Sequence, residues 1–338
     1  MTRWRQRMGE ERIAALLQES LAVAVKTGAM KPSDARRVIV DTTVEPKNVM
    51  FPTDAKLLNR AREKLVSLAK KVGVDLRQSY ARVGKAALIR HQRYAHAHQF
   101  KRSGKALRKL KTYLGRTIRD IARGIAGEED LMAIFSRPLH LASRALAQER
   151  HQRGPKLYSL HAPEVECIGK GKAHAPYEFG VKVSVATTLK RSQGGQFALH
   201  AKALPGNPYD GHTLATIIPD IEKTIGNEIE RILADAGYRG HNAPLSHRFR
   251  VYTAGQKRRM TPAIKREMRR RAAIEPVIGH LKNEHRLGRN YLAHEQGDAI
   301  NAILAAAGYN FRLLLNWVRL LLRFFLEMIC AQLRPAIA

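Results

Sequence analysis

The sequence predicts an α/β protein: a mixed-sheet core, split by an all-helical basic insertion and closed by a helical C-terminal segment. Three observations carry that expectation. Two strand-like runs, Val38-Ile-Val-Asp41 and Ile232-Leu-Ala-Asp235, each reach an aspartate. Between them, Phe179-Gly-Val-Lys-Val-Ser-Val-Ala-Thr187 alternates apolar and polar residues, the pattern of a half-buried strand. From Thr53 to Arg153 the spacing is helical and basic, with no acidic residue between Asp75 and Asp120.

Each element has its own signal. Ile13, Leu16, Leu17, Leu21 and Val25 recur at helical spacing within residues 9–30. The β-branched run Arg37–Val44 is a strand, and Pro46 and Pro52 punctuate the segment after it. In the insertion, residues 54–153, Leu88, Tyr94, Leu107, Leu110, Tyr113 and Leu114 interleave with the cations. They mark a folded helical domain rather than a solvated charge run. Strand character begins after Arg153-Gly-Pro155. Gln193-Gly-Gly195 turns the run 179–187 back into Phe197–Ala203, a hairpin. Asn207-Pro-Tyr-Asp-Gly211 is a turn into a helix over 213–224. Arg231–Asp235 and His247–Tyr252 are short strands, and residues 262–288 and 297–334 are helices. The expected organisation is an N-terminal helical remnant (1–37), a core (38–53 and 154–290) around the insertion, and C-terminal helices (291–338).

Composition narrows the function. With 338 residues and 44% apolar residues the chain can bury a sizeable core. Its net charge of +31 and pI near 10.7 are extreme. Such a charge repels itself unless a polyanion neutralises it, and nucleic acid is the usual polyanion. Cys167 and Cys330 stand far apart, which excludes a disulfide framework and a zinc knuckle and points to a reducing, cytoplasmic compartment. The start, Met1-Thr-Arg-Trp-Arg, lacks the apolar run of a secretory signal. The apolar tail from Leu313 to Leu333 carries Arg319, Arg323 and Glu327 at every fourth position. That stripe makes a packed terminal helix the better reading than a membrane span.

The chemistry lies in Arg271-Ala-Ala-Ile-Glu275-Pro-Val-Ile-Gly-His-Leu-Lys282. Offsets of four and seven residues put an arginine, a carboxylate and a lysine on one face of a helix. Asp41 and Asp235, each expected to end its strand, would meet Glu275 in the crevice at the carboxyl ends of the strands. Three converging carboxylates in so cationic a chain suit divalent metal, which activates a water or 3′-hydroxyl and stabilises the leaving oxygen in phosphoryl transfer. Each residue also has a plainer explanation. Asp41 and Asp235 suit turns, Glu275 suits a surface pair with Arg271, and Lys282 suits a solvated face. Arg271 and Lys282 would hold phosphates, and Lys101, Arg102, Lys105, Arg108 and Lys109 would track a DNA backbone. His91, His96 and His98 read as surface histidines. No Ser-His-Asp arrangement, P-loop or zinc motif is visible.

The chain resembles the DDE transposases of bacterial insertion sequences, close to family five within the broader family-four group. The resemblance rests on Val38–Val44, Ser159-Leu-His-Ala-Pro-Glu-Val-Glu-Cys-Ile-Gly-Lys-Gly-Lys172, Tyr177–Lys182, Gly206-Asn-Pro-Tyr-Asp-Gly-His-Thr213, Asp235-Ala-Gly-Tyr-Arg-Gly240, Ile274–Lys282 and Gly308-Tyr-Asn-Phe311. It covers nearly the whole chain. It implies an RNase H-like catalytic core, Mg²⁺ as cofactor with Mn²⁺ as substitute, and a catalytic, metal-binding triad of Asp41, Asp235 and Glu275. The expected partners are the terminal inverted repeats and target DNA, with the protein acting as a homo-oligomer. The family's Tyr-x2-Arg-x3-Glu-x6-Lys signature falls on Arg271, Glu275 and Lys282, with Met268 at the tyrosine position.

Relatives carry a substantial helical domain ahead of the first strand, and here 40 residues precede Asp41. The chain is therefore expected to be truncated, binding DNA tightly yet discriminating poorly between element ends and other sequence. Two rival readings stand beside the transposase: a decayed, DNA-binding remnant and a metal nuclease without strand transfer.

Overall fold

The structure is a computed structural model that describes residues 2–152, 154–169, 171 and 176–333. Arg153, Lys170 and Lys172 lie outside the described residues. The chain divides into two compact units, residues 1–48 with 168–338, and residues 49–167.

The first unit is built on a six-stranded mixed sheet. Helix α1 (Thr2–Lys26), kinked at Gly9, precedes strand β1 (Arg37–Pro46). Then come β2 (Glu166–Gly169), β3 (Tyr177–Thr188), β4 (Ala198–Leu204), α6 (Leu214–Ile225), β5 (Arg231–Ala234) and β6 (Val251–Thr253). Helices α7 (Pro262–Arg269), α8 (Ile274–Glu284) and α9 (His294–Leu333) complete it. β3 pairs antiparallel with β1 and β4, while β5 runs parallel to both β1 and β6. The order β4-β3-β1-β5-β6, with its antiparallel half and its parallel half, is an RNase H-like core.

Strand alternation separates the two cores. Ile39, Val183, Val185 and Leu233 pack beneath α8 and the first half of α9, among Ile274, Val277, Leu281, Ile303 and Ala306. Val38, Val40, Ile232 and Ala234 pack on the other face against α6, through Ile217, Ile218 and Ile221. Asp41 continues the odd-numbered face of β1 and so points toward α8.

The second unit packs α2 (Asp54–Lys71), α3 (Ala81–His96), α4 (Phe100–Gly124) and α5 (Glu129–Ala147) around Leu58, Leu65, Leu110, Leu114, Ile121 and Phe135. Leu110 and Leu114 are buried, while Leu88, Leu107 and Tyr113 line the same core. The apolar residues interleaved with the cations thus form the inner faces of the helices.

Four sequence expectations are corrected. Asp41 does not end its strand. β1 runs on to Pro46 because β3 stays paired with it as far as Gly180, and only the pairing with β5 stops at Val40. The strand expected over 247–252 is confined to Val251–Thr253, since residues 246–250 form a turn. Residues 262–288 are not one helix: a 3₁₀ turn at Arg271–Ala273 separates α7 from α8. The terminal helix packs through its first half and through Trp317, whose Nε1 donates to Thr27 O at 3.0 Å. Beyond Leu314, Leu315, Val318, Leu322, Phe324 and Phe325 are exposed. No described helix is long and apolar enough to cross a membrane.

Candidate active site

The site forms where the parallel pair β1–β5 ends. Val40 is opposite Ala234 in that register, so the next residues, Asp41 and Asp235, stand side by side at one level of the sheet. Asp235 is free of the ladder because a 3₁₀ turn, Ala236–Tyr238, starts at once behind it. Glu275 sits in the first turn of α8, which Ile274, Val277 and Leu281 anchor to the sheet face that carries Asp41.

Arg271 joins the three. Its guanidinium is 3.7 Å from Asp41 Oδ2, 3.8 Å from Asp235 Oδ1 and 3.7 Å from Glu275 Oε1. The helical stripe expected for Arg271 is replaced by the 3₁₀ turn. That turn still brings the side chain back over Glu275 four residues on, and it aims the fork inward, leaving Arg271 only 19% exposed. Exposure rises from Asp41 at 20% to Asp235 at 50% and Glu275 at 64%. The innermost carboxylate is therefore the most perturbed. Burial pushes Asp41 up to about 6, against the Thr42 N–H and the Arg271 charge, with Asp235 and Asp210 adding repulsion. The Thr42 N–H donates to Asp41 Oδ1 at 2.8 Å.

Lys282 does not join this cluster. Two turns along α8 it faces Glu178 Oε2 at 3.9 Å. Lys101, Arg102, Lys105, Arg108 and Lys109 belong to the second unit, where all five are exposed on α4. Met268 is half-buried against the core. His96 and His98 are surface residues and His91 is half-buried.

As donors, three carboxylates suit a hard divalent cation. As spaced here they suit the guanidinium, and among the described residues no three His, Cys, Asp or Glu side chains stand close enough together to hold an ion. Asp41, Asp235 and Glu275 could hold one only with Arg271 turned away from their midst.

Sequence reasoning passed over a neighbouring group. Asp210, in the turn before α6, accepts from Lys182 Nζ at 3.0 Å. Its Oδ2 also crowds Gly237, where an added Cβ would lie 3.2 Å away. Tyr238 is wholly buried, its hydroxyl driven well above the usual phenol range by burial and by Asp210, Asp41 and Asp235. The available signal was that these residues fall within Tyr177–Lys182, Gly206–Thr213 and Asp235–Gly240, stretches that carry the resemblance without an assigned role.

The family described as "Transposase DDE domain" matches residues 159–311. A protein of Rhizobium meliloti, "Uncharacterized protein ORF8 in nfe locus", is 49% identical over 100 residues, covering 30% of this chain and 48% of its own length. The match thus spans about half of that relative. No solved structure matches. Residues 159–311 thus match the transposase DDE domain family, and the strand order around them is that of an RNase H-like core.

Proposed function

We propose that the chain is an insertion-sequence transposase that cleaves and transfers DNA strands at element ends, with Asp41, Asp235 and Glu275 as its triad. The observation that carries this reading is the gathering of those three carboxylates on one guanidinium, each within 3.8 Å of it.

Asp41, Asp235 and Glu275 would hold Mg²⁺, with Mn²⁺ as substitute. Bound there, the metal supplies Lewis-acid charge and a more acidic water or 3′-hydroxyl. The chain's own part is orientation and charge. Asp41 is fixed by the Thr42 N–H, and as a metal ligand it must be ionised, which its raised pKa opposes below about pH 6. Arg271 keeps the three carboxylates from repelling one another and presents a planar fork matched to phosphate oxygens. Lys282 contributes a point charge two turns away. The exposed cations of α4 follow the DNA backbone. The partners are terminal inverted repeats and target DNA, in the bacterial cytoplasm at the nucleoid. The working form is a homo-oligomer, supported by the exposed apolar second half of α9.

Asp41→Asn, Asp235→Asn and Glu275→Gln should each abolish Mg²⁺-dependent cleavage of duplexes bearing element ends, while DNA binding survives or tightens. Cleavage at the wild-type rate by any of the three removes that residue from the triad. The rival reading, a remnant that binds DNA without cutting it, draws on the spacing set by Arg271. It predicts that the wild-type chain binds these duplexes and leaves them intact across Mg²⁺ and Mn²⁺ titrations.

A further inference from the structure

A cavity of about 390 Å³ opens beside the stretch of β1 that follows Asp41, between β1, β3 and the turn before α6. Thr42 and Thr43 form its floor, and Lys182, Asn207, Tyr209 and Asp210 its wall and rim. Its volume falls in the range of small-ligand sites.

The rim is held in place. Tyr209 is 49% exposed, yet its hydroxyl donates to Arg239 O at 3.0 Å and its ring meets His212 edge-on, centroids 5.2 Å apart. Gly211 makes that stance possible: an added Cβ would lie 2.9 Å from Tyr209 Cε1 and 3.2 Å from Tyr238 O. Asn207 turns the chain at φ 44°, a conformation that asparagine tolerates better than most residues. A fixed, exposed aromatic face at a cavity mouth is a stacking platform.

The cavity's charge is balanced. Lys182 Nζ donates to Pro208 O at 2.7 Å and to Asp210 Oδ1 at 3.0 Å. An ammonium has three donors, and the lining adds the second oxygen of Asp210, the Asn207 amide and the hydroxyl of Thr42, which shares the sheet face of Lys182. In a chain of net charge +31, a neutral pocket of mixed donors and acceptors is unsuited to phosphate, which the surface cations take up more readily. It suits a flat, uncharged group with donors and acceptors along one edge and a π face for Tyr209.

We infer that this cavity is a nucleobase subsite, in which a base released from pairing stacks on Tyr209 and is read along its edge by Lys182, Asn207 and Asp210. The inference rests on the reading that the chain acts on DNA, but not on the triad. It would give the first unit a means of sequence discrimination that the basic helices, which meet only the backbone, do not supply.

The test is metal-free competition binding by the full chain at physiological salt. The probes are duplexes of one sequence that are fully paired, carry one unpaired nucleotide, or carry an abasic residue there. The unpaired base should bind roughly tenfold more tightly than the abasic duplex, by the strength of base–aromatic stacking. Tyr209→Ala should erase that advantage while leaving fully paired binding unchanged, and Tyr209→Phe, which keeps the ring, should restore most of it. Asn207→Ala should alter which of the four bases is preferred. Equal affinity of the wild type for unpaired and abasic duplexes overturns the inference, as does an undiminished advantage in Tyr209→Ala. Failure to bind any duplex instead overturns the DNA reading itself. Matching circular dichroism and melting curves for Tyr209→Ala and wild type would exclude misfolding as the cause of a loss.

Discussion

Asp41 is the residue at which stability and proposed function oppose one another. Burial raises it from 3.8 to about 6, so the folded state favours its proton. The folded pKa lies above the unfolded one, so the stabilisation is fully present below about pH 4. It is lost as pH rises through 6 and stays lost above that. Asp41→Asn should therefore stabilise the protein at pH 7 by up to about 3 kcal/mol, a shift of roughly two units at 1.36 kcal/mol each, in which the attraction of Arg271 is already counted. The gain should vanish at pH 4, and chemical denaturation at the two pH values measures it. A stability change of the same size at both values would contradict the burial argument. In the same window, cleavage by the wild type should fall as pH drops below about 6, because a metal ligand must be ionised.

Among the elements, β1 is the one on which the site depends, and Gly180 guards it. A Cβ at Gly180 would lie 1.9 Å from Glu45 O on the paired strand, a backbone clash that no rotamer relieves. Gly180→Ala should cost about 3 kcal/mol, the upper end for overpacked cores. It should also free the Thr42–Pro46 half of β1 from β3. Melting temperature reports the first effect, and amide exchange of residues 42–45 the second; unchanged protection there would show that the strand accommodates a side chain. Asn310 plays a comparable part for the helices. Its side chain accepts from Ala198 N at 2.9 Å and donates to Ala198 O at 2.8 Å and Ser20 Oγ at 3.0 Å, so one buried amide ties α9 to β4 and α1. The Gly308–Phe311 stretch is thus accounted for by packing and needs no catalytic role.

For the whole molecule, charge is what the proposed action on DNA depends on. Lys101, Arg102, Lys105, Arg108 and Lys109 all lie on the solvent side of α4, opposite the buried Ala106, Leu110 and Leu114. Neutralising the five should weaken binding to every duplex alike. If all contact phosphate, the slope of log affinity against log salt should shrink by roughly 0.9 for each. A slope equal to that of the wild type would show that this face of the second unit points away from DNA. The fall in affinity should be independent of sequence, which separates it from the changes expected at Tyr209 and Asn207.

Much of this protein is legible along the chain alone. Alternation in 179–187, β-branching in 37–44 and the helical spacing of 54–153 specify the sheet strands and the basic helical unit, because periodicity is a local property of the chain. Spacing and resemblance also singled out Asp41, Asp235 and Glu275, whose side chains the fold gathers on one guanidinium. The packed fold settled whatever depends on distant partners. β1 continues past Asp41 only because β3, some 140 residues later, stays paired with it. The helix expected over 262–288 breaks at Arg271–Ala273, although no proline or glycine stands there, and that break points Arg271 at three carboxylates from three different elements. Most described residues beyond Trp317 in α9, which the polar stripe marked as a packed helix, are exposed, since apolarity states what a helix tends to bury and not what reaches it. The Lys182–Asp210 pair and the Tyr209 rim joined the site for the same reason: their neighbours are set by strand register and by two glycines, and no local pattern encodes that.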